Sequence, residues 1–263
     1  MKLPVAVCSL QGERDYNEDR SCYASPLGGK KALGKGCAVK GPLHFVAIMD
    51  GHGGDACSTF AAKRVKAELL VDLKAGLTPM AALLNAHAAT EVAWMRMACG
   101  GDEPDDSGTT SVCVLLDEAS STLSISNVGD SRALLLRSRG GSSSRSGGGR
   151  KRKRKSAAGA LSVLPLTTDQ DAENKSEAKR IKAAGGTVSS EGYINDSVQT
   201  ARSIGDYTSK LLPAEEEGQS ETHSLAVIST PAVAVEPLTD DDVLLVLGCD
   251  GAFAPAPAPA VYI

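Results

Sequence analysis

Residues 46–54 read VAIMDGHGG, and residues 244–251 read LLVLGCDG, so two apolar runs each end in Asp-Gly. A short apolar run closed by glycine is typical of a buried strand. A carboxylate at the end of such a strand is costly to desolvate unless a cation or hydrogen-bond donors meet it. The following glycine lets a backbone carbonyl approach a ligand closely. Asp50 and Asp250, side by side, would form an oxygen-rich site for Mg²⁺ or Mn²⁺.

The alternative for either segment alone is a plain turn, which Asp-Gly commonly opens and which is then the favoured interpretation. The surroundings of Asp50 shift the balance towards a site, because His52 places an imidazole beside it. Upstream, residues 12–19 read GERDYNED, in which Arg14 precedes Glu18 and Asp19 by a few residues. A guanidinium suits the forked geometry of a phosphate.

Hydrophobic periodicity places elements around these segments. The predicted strands are 3–10, 43–49, 111–116, 122–126, 133–136, 232–236 and 243–248. The predicted helices are 54–75, 79–98 and 173–184; the first carries Ala61, Val65, Leu69 and Leu73 on its apolar face, and the second carries Met80, Leu84, Ala88, Val92 and Met95. The short separations between the three strands from 111 to 136 indicate antiparallel hairpins. Runs of strands with paired helices indicate a layered α+β fold.

Composition limits the classes of function. The 263 residues carry a net charge of −4, but six consecutive cations lie at Arg150–Lys155 (RKRKRK). Without them, 22 positive charges face 32 negative ones, a net charge of −10. An acidic folded part argues against general nucleic-acid binding. A nucleic-acid binder that depends on residues 150–155 alone is the least favoured alternative, because such a run is usually a solvated loop or a targeting signal.

Residues 138–158 are rich in Gly and Ser and include the basic run, so they bury too little apolar area to offset the entropy of ordering. We expect a disordered insert here and an irregular tail at 254–263, within a single domain spanning 1–263. The basic run is a candidate nuclear address, with a solvated loop as the alternative.

The seven cysteines contain no CxxC pair, which indicates neither a zinc site nor a disulfide framework. They are typical of small buried residues in a reducing compartment. The sequence shows neither a signal peptide nor a membrane-length apolar stretch. We therefore expect an intracellular monomer, cytoplasmic or nuclear, without membrane or nucleic-acid partners.

Seven motifs in order resemble those of the protein phosphatase 2C family, the metal-dependent Ser/Thr protein phosphatases. They are GERDYNED (12–19), MDGHGG (49–54), SGTTSV (107–112), NVGDSR (127–132), KRIKAAGG (179–186), ARSIGD (201–206) and LGCDG (247–251). The resemblance covers almost the whole chain except the insert and the last ten residues.

The resemblance implies a four-layer α-β-β-α sandwich of two antiparallel sheets flanked by helices, incomplete at the C-terminus. It also implies site roles: Asp50 bridges two ions, Mg²⁺ or Mn²⁺, the Gly51 carbonyl binds one, and Asp250 holds the second. Glu18 and Asp19 would orient waters on the ions. Arg14 would clamp the phosphate of a phosphoprotein substrate, and His52 would protonate the leaving alcohol. Asp130 and Asp206 match positions of a further, weaker metal site.

The sequence also departs from the family pattern. Gln170, Asp171 and Ala172 stand where the family usually has His-Lys-Pro, and Phe253-Ala254 stand where it has an aromatic-acid pair. No Asp or Asn follows Asp250, whereas the family has a further Asp ligand beyond it. Either the chain is truncated or the protein is a degenerate relative, and a frame change or misread exon is a further alternative. We therefore expect this chain to bind at most one ion tightly and to have little activity. The main alternative to an active enzyme is a pseudophosphatase that binds phosphoproteins without turning them over.

Overall fold

The computed structural model describes residues 3–28, 39–100, 103–138, 161–212, 222–223 and 225–253. Its strands are β1 (Arg20–Ala24), β2 (Leu43–Met49), β3 (Gly51–His52), β4 (Gly108–Thr109), β5 (Ser111–Asp117), β6 (Thr122–Val128), β7 (Arg132–Ser138), β8 (Leu161–Pro165), β9 (Ile204–Gly205), β10 (Leu211–Leu212), β11 (Thr222–His223), β12 (Ala232–Pro237) and β13 (Asp242–Gly248). Its helices are α1 (Ala56–Lys74), α2 (Pro79–Ala98), α3 (Lys175–Ala183) and α4 (Asp250–Phe253), and a 3₁₀ turn spans Thr208–Lys210.

Two antiparallel sheets form the centre of the fold. The first has the strand order β1-β2-β5-β6-β12, and the second has the order β13-β7-β8. Small two-residue strands, β3, β4 and β9, form a third sheet beside the end of β2. This arrangement confirms the predicted α+β sandwich.

The core follows from the alternation of side chains along a strand, which sends successive residues to opposite faces. In β2, Phe45 and Met49 belong to the cluster that includes α1 and α2, whereas Val46 and Ile48 pack towards the second sheet. Leu135 of β7 lies in the same inter-sheet cluster. The first sheet is therefore covered by helices on one face and by the second sheet on the other.

Unlike the two covered faces of the first sheet, the outer face of the second sheet carries exposed apolar side chains. Leu161, Val163 and Leu244 are exposed by 49%, 57% and 54%. The helices α1 and α2 lie against the first sheet. Within the described residues, no helix is both long and apolar enough to cross a membrane.

Helices α1 and α2 confirm the predicted ranges 54–75 and 79–98 closely. The α1 face predicted from Ala61, Val65, Leu69 and Leu73 is fully buried. The predicted face of α2 is wrong: Val92 is 50% exposed, and the buried residues are Ala82, Leu83, Ala86, His87, Thr90, Trp94 and Ala98. Burial of His87 and Thr90 is tolerated because their side chains bond to Leu83 O, Ser111 Oγ and Ala86 O.

The prediction of a strand at 3–10 is wrong. The described residues of this segment adopt no regular structure, and residues 4–10 are exposed. β1 forms the edge of the first sheet, and within the described residues this segment does not pair with it. The sequence analysis missed β1, which has no long apolar run, and it missed β8, which follows the basic segment.

The predicted hairpin between 122–126 and 133–136 is also wrong, although the hairpin of β5 and β6 is confirmed. β7 pairs with β13 and β8 instead, so the chain crosses from the first sheet to the second between Val128 and Arg132. Gly129, with φ +94°, lies at this crossing. The predicted helix at 173–184 is confirmed as α3, slightly shorter than expected. Except for Ser138, the last residue of β7, the predicted insert 138–158 lies outside the described residues, as does the tail 254–263.

Candidate metal centre

Asp50 lies between β2 and β3, held by its backbone. Its N–H donates to Thr110 Oγ1 at 3.2 Å, and its carbonyl accepts from Thr110 N at 2.9 Å and from Thr109 Oγ1 at 3.0 Å. The main chain of Asp50 is thus fixed by Thr109 of β4 and by Thr110, which directly precedes β5. A rigid strand end of this kind places a ligand more accurately than a loop does.

The segment before β1 brings two more acids to the same place. Glu18 Oε1 accepts the N–H of Gly54 at 2.6 Å, and the Glu18 carbonyl accepts Ser58 Oγ at 2.6 Å. A Cβ added at Gly51 would lie 2.6 Å from Glu18 O and 2.8 Å from Ser58 Oγ, which is impossibly close. Gly51 is therefore required for this segment to pack beside Asp50.

The end of β13 completes the cluster. Cys249 Sγ donates to Asp19 Oδ2 at 3.3 Å, and one ligand atom from each of Asp19, Asp50 and Cys249 lies within 4.8 Å of the other two. Asp250 and Asp130 are close enough for their charges to act on the carboxyl of Asp50. The structure thus brings together the two Asp-Gly segments that the sequence analysis paired.

Burial and mutual repulsion raise the pKa values of the carboxyl groups in this cluster. Burial, followed by repulsion from Asp19 and Asp250, raises the pKa of Asp50 to about 8. Burial and the charge of Asp250 likewise raise the pKa of Asp130 to about 6. Burial and Asp19 raise the pKa of the Cys249 thiol to about 12. Several acids that oppose each other's ionisation in this way fit a divalent cation, which would remove the repulsion.

His52 and Asp206 form a second group next to the carboxylates. His52 Nε2 lies 2.7 Å and 2.9 Å from the two carboxylate oxygens of Asp206, whose side chain is 3% exposed. Burial lowers the pKa of His52, but the hydrogen bond and charge of Asp206, with Asp50 and Glu18, outweigh it and leave the pKa raised. Asp206 therefore shifts the ionisation of His52 towards the imidazolium form.

A buried ion pair anchors the backbone that carries Asp206. Glu91 of α2 accepts Lys210 Nζ at 2.5 Å through one oxygen and the N–H of Gly205 at 2.9 Å through the other. Asp206 has a φ of +53°, unusual for a residue with a side chain. A Cβ at Gly108 would lie 2.3 Å from Asp206 Oδ1, so the glycine of the SGTTSV motif makes room for this carboxylate.

Gln170 explains one departure from the family pattern. It is 3% exposed; its Oε1 accepts Gly129 N at 2.8 Å, and its Nε2 donates to Asn127 O at 3.1 Å. Gln170 thereby fixes the turn that presents Asp130. At this departure from the family pattern, Gln170 therefore holds the loop through both ends of its side-chain amide.

Arg14 and Asp206, two other predicted site residues, are not part of the group formed by Asp19, Asp50 and Cys249. Arg14 lies in an exposed turn, and in the described parts of the chain no hydrogen bond or ion pair is made by its guanidinium. Asp206 is bonded to His52 and is not part of the group formed by Asp19, Asp50 and Cys249. The sequence analysis missed Cys249, although its position directly before Asp250 was a usable signal. It also missed Glu91, whose sequence neighbourhood gives no indication of a role.

Comparison with known proteins identifies the family of the chain. The sequence profile named protein phosphatase 2C matches residues 4–254. The chain belongs to the protein phosphatase 2C family. Protein phosphatase 2C homolog 3 of Schizosaccharomyces pombe is 32% identical over 218 residues, which is 81% of this chain and 44% of the relative. The integrin-linked kinase-associated serine/threonine phosphatase 2C of Bos taurus is 30% identical over 253 residues, covering 94% of this chain and 59% of the relative.

Solved structures show the same fold. A sex determining protein of C. elegans superposes with a TM-score of 0.68 at 21% identity, over 93% of this chain and 50% of the other. The serine-threonine phosphatase 2C of Toxoplasma gondii gives a TM-score of 0.63 at 18% identity, over 92% of this chain and 76% of the other. The chain spans about half the length of the relatives it matches in sequence.

Proposed function

We propose that this chain hydrolyses phosphoserine and phosphothreonine in proteins with the help of a divalent cation, Mg²⁺ or Mn²⁺, at Asp50. Membership of a metal-dependent phosphatase family supports this activity. The observation that carries it is the carboxylate cluster, in which the charges that raise the pKa of Asp50 come from other carboxylates. A phosphorylated protein would be the substrate and partner.

The residues at the strand ends would hold the cation. Asp50, Asp19 and Asp250 would supply carboxylate oxygens, the Gly51 carbonyl would supply another, and Glu18 supports the segment from the side. When bound, Mg²⁺ or Mn²⁺ would lower the pKa of a coordinated water and offset the charge of the phosphoryl group. Asp130 lies at the edge of the cluster, where a further, weaker ion would find a ligand.

His52 would supply the proton that the departing alcohol needs. Asp206 occupies Nε2, which leaves Nδ1 as the nitrogen that can donate to the leaving oxygen. The raised pKa of His52 shifts the ring towards its protonated form, which is the form that a general acid requires. In this geometry Asp206 positions the ring of His52 and raises its pKa. Arg14, exposed on the N-terminal segment, would approach the phosphate from solvent.

The test is hydrolysis of a phosphothreonine peptide by the purified 263-residue chain in Mn²⁺, compared with Asp50→Asn. We expect Asp50→Asn to lose at least about 100-fold in kcat/KM, because a catalytic cation supplies several kcal/mol of charge stabilisation. Asp72→Asn is the matched control, since its residue lies near the far end of α1, roughly 24 Å from the start of that helix.

The alternative, a pseudophosphatase, predicts a different combination of results. The chain would bind Mn²⁺ and a phosphopeptide, yet neither the chain nor Asp72→Asn would release phosphate above the rate of Asp50→Asn. Release by Asp50→Asn that equals that of the unchanged chain, with both well above a blank without protein, would refute the assignment of Asp50. Calorimetric titration with Mn²⁺ also gives the number of ions and tests the expectation of one tight site.

A further inference from the structure

Three side chains outside the metal centre have the order of a nucleophile, a base and an orienting acid. Ser25 Oγ lies 2.7 Å from His44 Nδ1, and His44 Nε2 lies 2.7 Å from Glu118 Oε1. A serine in contact with an imidazole that a carboxylate orients is the arrangement by which hydrolases activate a hydroxyl group. We propose that these three residues, the Ser25 triad, make the Ser25 hydroxyl a nucleophile towards acyl esters.

The pairing of three strands in the first sheet brings the triad together. β1 ends at Ala24, so Ser25 directly follows it, beside the start of β2, which carries His44. β5 pairs with the other side of β2, and Glu118 directly follows the last residue of β5. The Glu118 N–H donates to the Pro42 carbonyl at 3.2 Å, which holds Glu118 beside the start of β2. The backbone of the sheet therefore sets the positions of all three residues.

The Ser25 triad lies at the opposite end of β2 from the metal centre. His44 is the second residue of β2, and Asp50 directly follows the last one. The six positions from His44 to Asp50 span roughly 20 Å of extended strand. The proposal is therefore independent of the phosphatase activity proposed above, and the reaction at Ser25 requires no cation.

The carboxylate of Glu118 decides which nitrogen of His44 can act as the base. The hydrogen bond from His44 lowers the pKa of Glu118, so the carboxyl group is ionised at neutral pH and can only accept. Nε2 must therefore carry a proton and donate it to Glu118, which leaves Nδ1 without a proton in the neutral ring. Nδ1 then accepts the hydroxyl proton of Ser25, as the base of a triad must.

The surroundings of the triad leave the serine more accessible than the base. Ser25 is half-buried, whereas His44 is 5% exposed. The Leu3 N–H donates to Ser25 Oγ at 3.2 Å, and a hydroxyl oxygen has two lone pairs, so one remains for a substrate. A small ester can therefore reach the Ser25 hydroxyl, while the imidazole is shielded from being acylated in its place.

The proposed reaction transfers an acyl group to Ser25. Its Oγ bonds to the carbonyl carbon of the ester while the hydroxyl proton passes to His44 Nδ1. The bond between the carbonyl carbon and the ester oxygen then breaks, and the leaving alcohol takes the proton from Nδ1. The products are an acyl-serine and an alcohol, so the step needs no further reactant.

The test is acylation of the 263-residue chain by p-nitrophenyl acetate in EDTA, with the modified residue located by peptide mass spectrometry. We expect an acetyl group on Ser25. Ser120 is the internal control and should stay unmodified, because its Oγ bonds to Asp117 and Thr122 but, among the described residues, to no imidazole. His44→Gln should slow acetylation of Ser25 at least about 100-fold, since a general base contributes about 10²–10⁴-fold. No acetyl group on Ser25, or equal acetylation of Ser25 and Ser120, would overturn the proposal.

Glu118→Gln keeps the test decisive if His44→Gln does not fold. Glutamine preserves the size of the side chain but removes the negative charge that holds the proton on Nε2 of His44. We expect acetylation of Ser25 to slow at least about tenfold in a chain whose thermal unfolding midpoint shows that it is folded. Glu173→Gln, at an exposed position before α3, is the matched control and should keep the original rate. An unchanged rate in folded Glu118→Gln would contradict the triad.

Discussion

His52 and Asp206 are 154 positions apart in the chain, yet His52 Nε2 lies 2.7 Å from Asp206 Oδ1. The pair forms because β3, β4 and β9 bring the two segments side by side. The carboxylate is nearly enclosed, so its charge acts strongly on the ring.

Replacement of Asp206 by Asn should therefore move the alkaline limb of kcat/KM to lower pH. The pKa of His52 is raised by Asp206, so loss of the charge lowers that pKa and the ring loses its proton earlier as pH rises. Turnover at neutral pH should fall as well, since a general acid contributes about 10²–10⁴-fold. Asp72→Asn should keep the profile of the unchanged chain. An unmoved alkaline limb in Asp206→Asn would show that His52 is not the acid.

The metal-free chain should lose stability as pH rises. The pKa of Asp50 is about 8 in the folded chain, and an unfolded aspartate titrates near pH 4. Between these values the folded state holds more protons than the unfolded one, so the free energy of unfolding falls as pH increases. Asp50→Asn should flatten this slope in urea denaturation, and saturating Mn²⁺ should flatten it in the unchanged chain.

His87 acts in the opposite sense, because burial lowers its pKa to about 4 and stability falls as pH drops below about 6.5. His87 contributes equally to the stability of the unchanged chain and of Asp50→Asn, so its contribution cancels when the two pH profiles are subtracted. An identical slope in the unchanged chain and in Asp50→Asn would mean that burial and the neighbouring carboxylates do not raise the pKa of Asp50.

Glu91→Gln should destabilise the chain by roughly 3 kcal/mol, because it leaves the ammonium of Lys210 buried without a counter-charge. Urea denaturation measures this, and Glu91→Gln combined with Lys210→Met should recover part of the loss. The exposed pair of Arg64 and Glu68 is the control: Glu68→Gln should cost no more than about 0.5 kcal/mol. If Glu91→Gln also lowered the free energy of unfolding by no more than about 0.5 kcal/mol, the anchoring role of Glu91 would be contradicted.

Gly51→Ala should weaken Mn²⁺ binding without unfolding the chain. The added methyl group would meet the Glu18 carbonyl at 2.6 Å and would displace the segment that carries Glu18 and Asp19. Ser58→Ala is a useful comparison, because it removes the hydrogen bond to the Glu18 carbonyl but adds no bulk. Calorimetry should show a larger loss of Mn²⁺ affinity in Gly51→Ala than in Ser58→Ala. The reverse order would contradict the role of Gly51.

Sequence reasoning succeeded where a local pattern determines the structure. The apolar runs before Asp50 and Asp250 are β2 and β13, and the regular spacing from Ala61 to Leu73 is the buried face of α1. These features depend on nearest neighbours in the chain. The pairing of the two Asp-Gly segments also agrees with the structure, in which the charge of Asp250 acts on the carboxyl of Asp50.

Features that depend on distant partners were missed or wrong. β1 has a weak pattern and exists because β2 offers an edge to pair with. The buried face of α2 includes His87, which is acceptable only because its Nδ1–H donates to the Leu83 carbonyl and its Nε2 accepts from the Ser111 hydroxyl. Cys249 gained its position beside Asp19 through 230 intervening residues. Local propensity carries no information on such contacts.

The most direct measurement is the location of Mn²⁺ by anomalous diffraction in crystals of the 263-residue chain grown with that ion. The central claim is that the ends of β2 and β13, with the segment before β1, form the metal centre. It predicts an anomalous peak about 2.2 Å from a carboxylate oxygen of Asp50, with Asp19 or Asp250 in the same coordination shell. Peaks elsewhere on the protein, with none at Asp50, would contradict it.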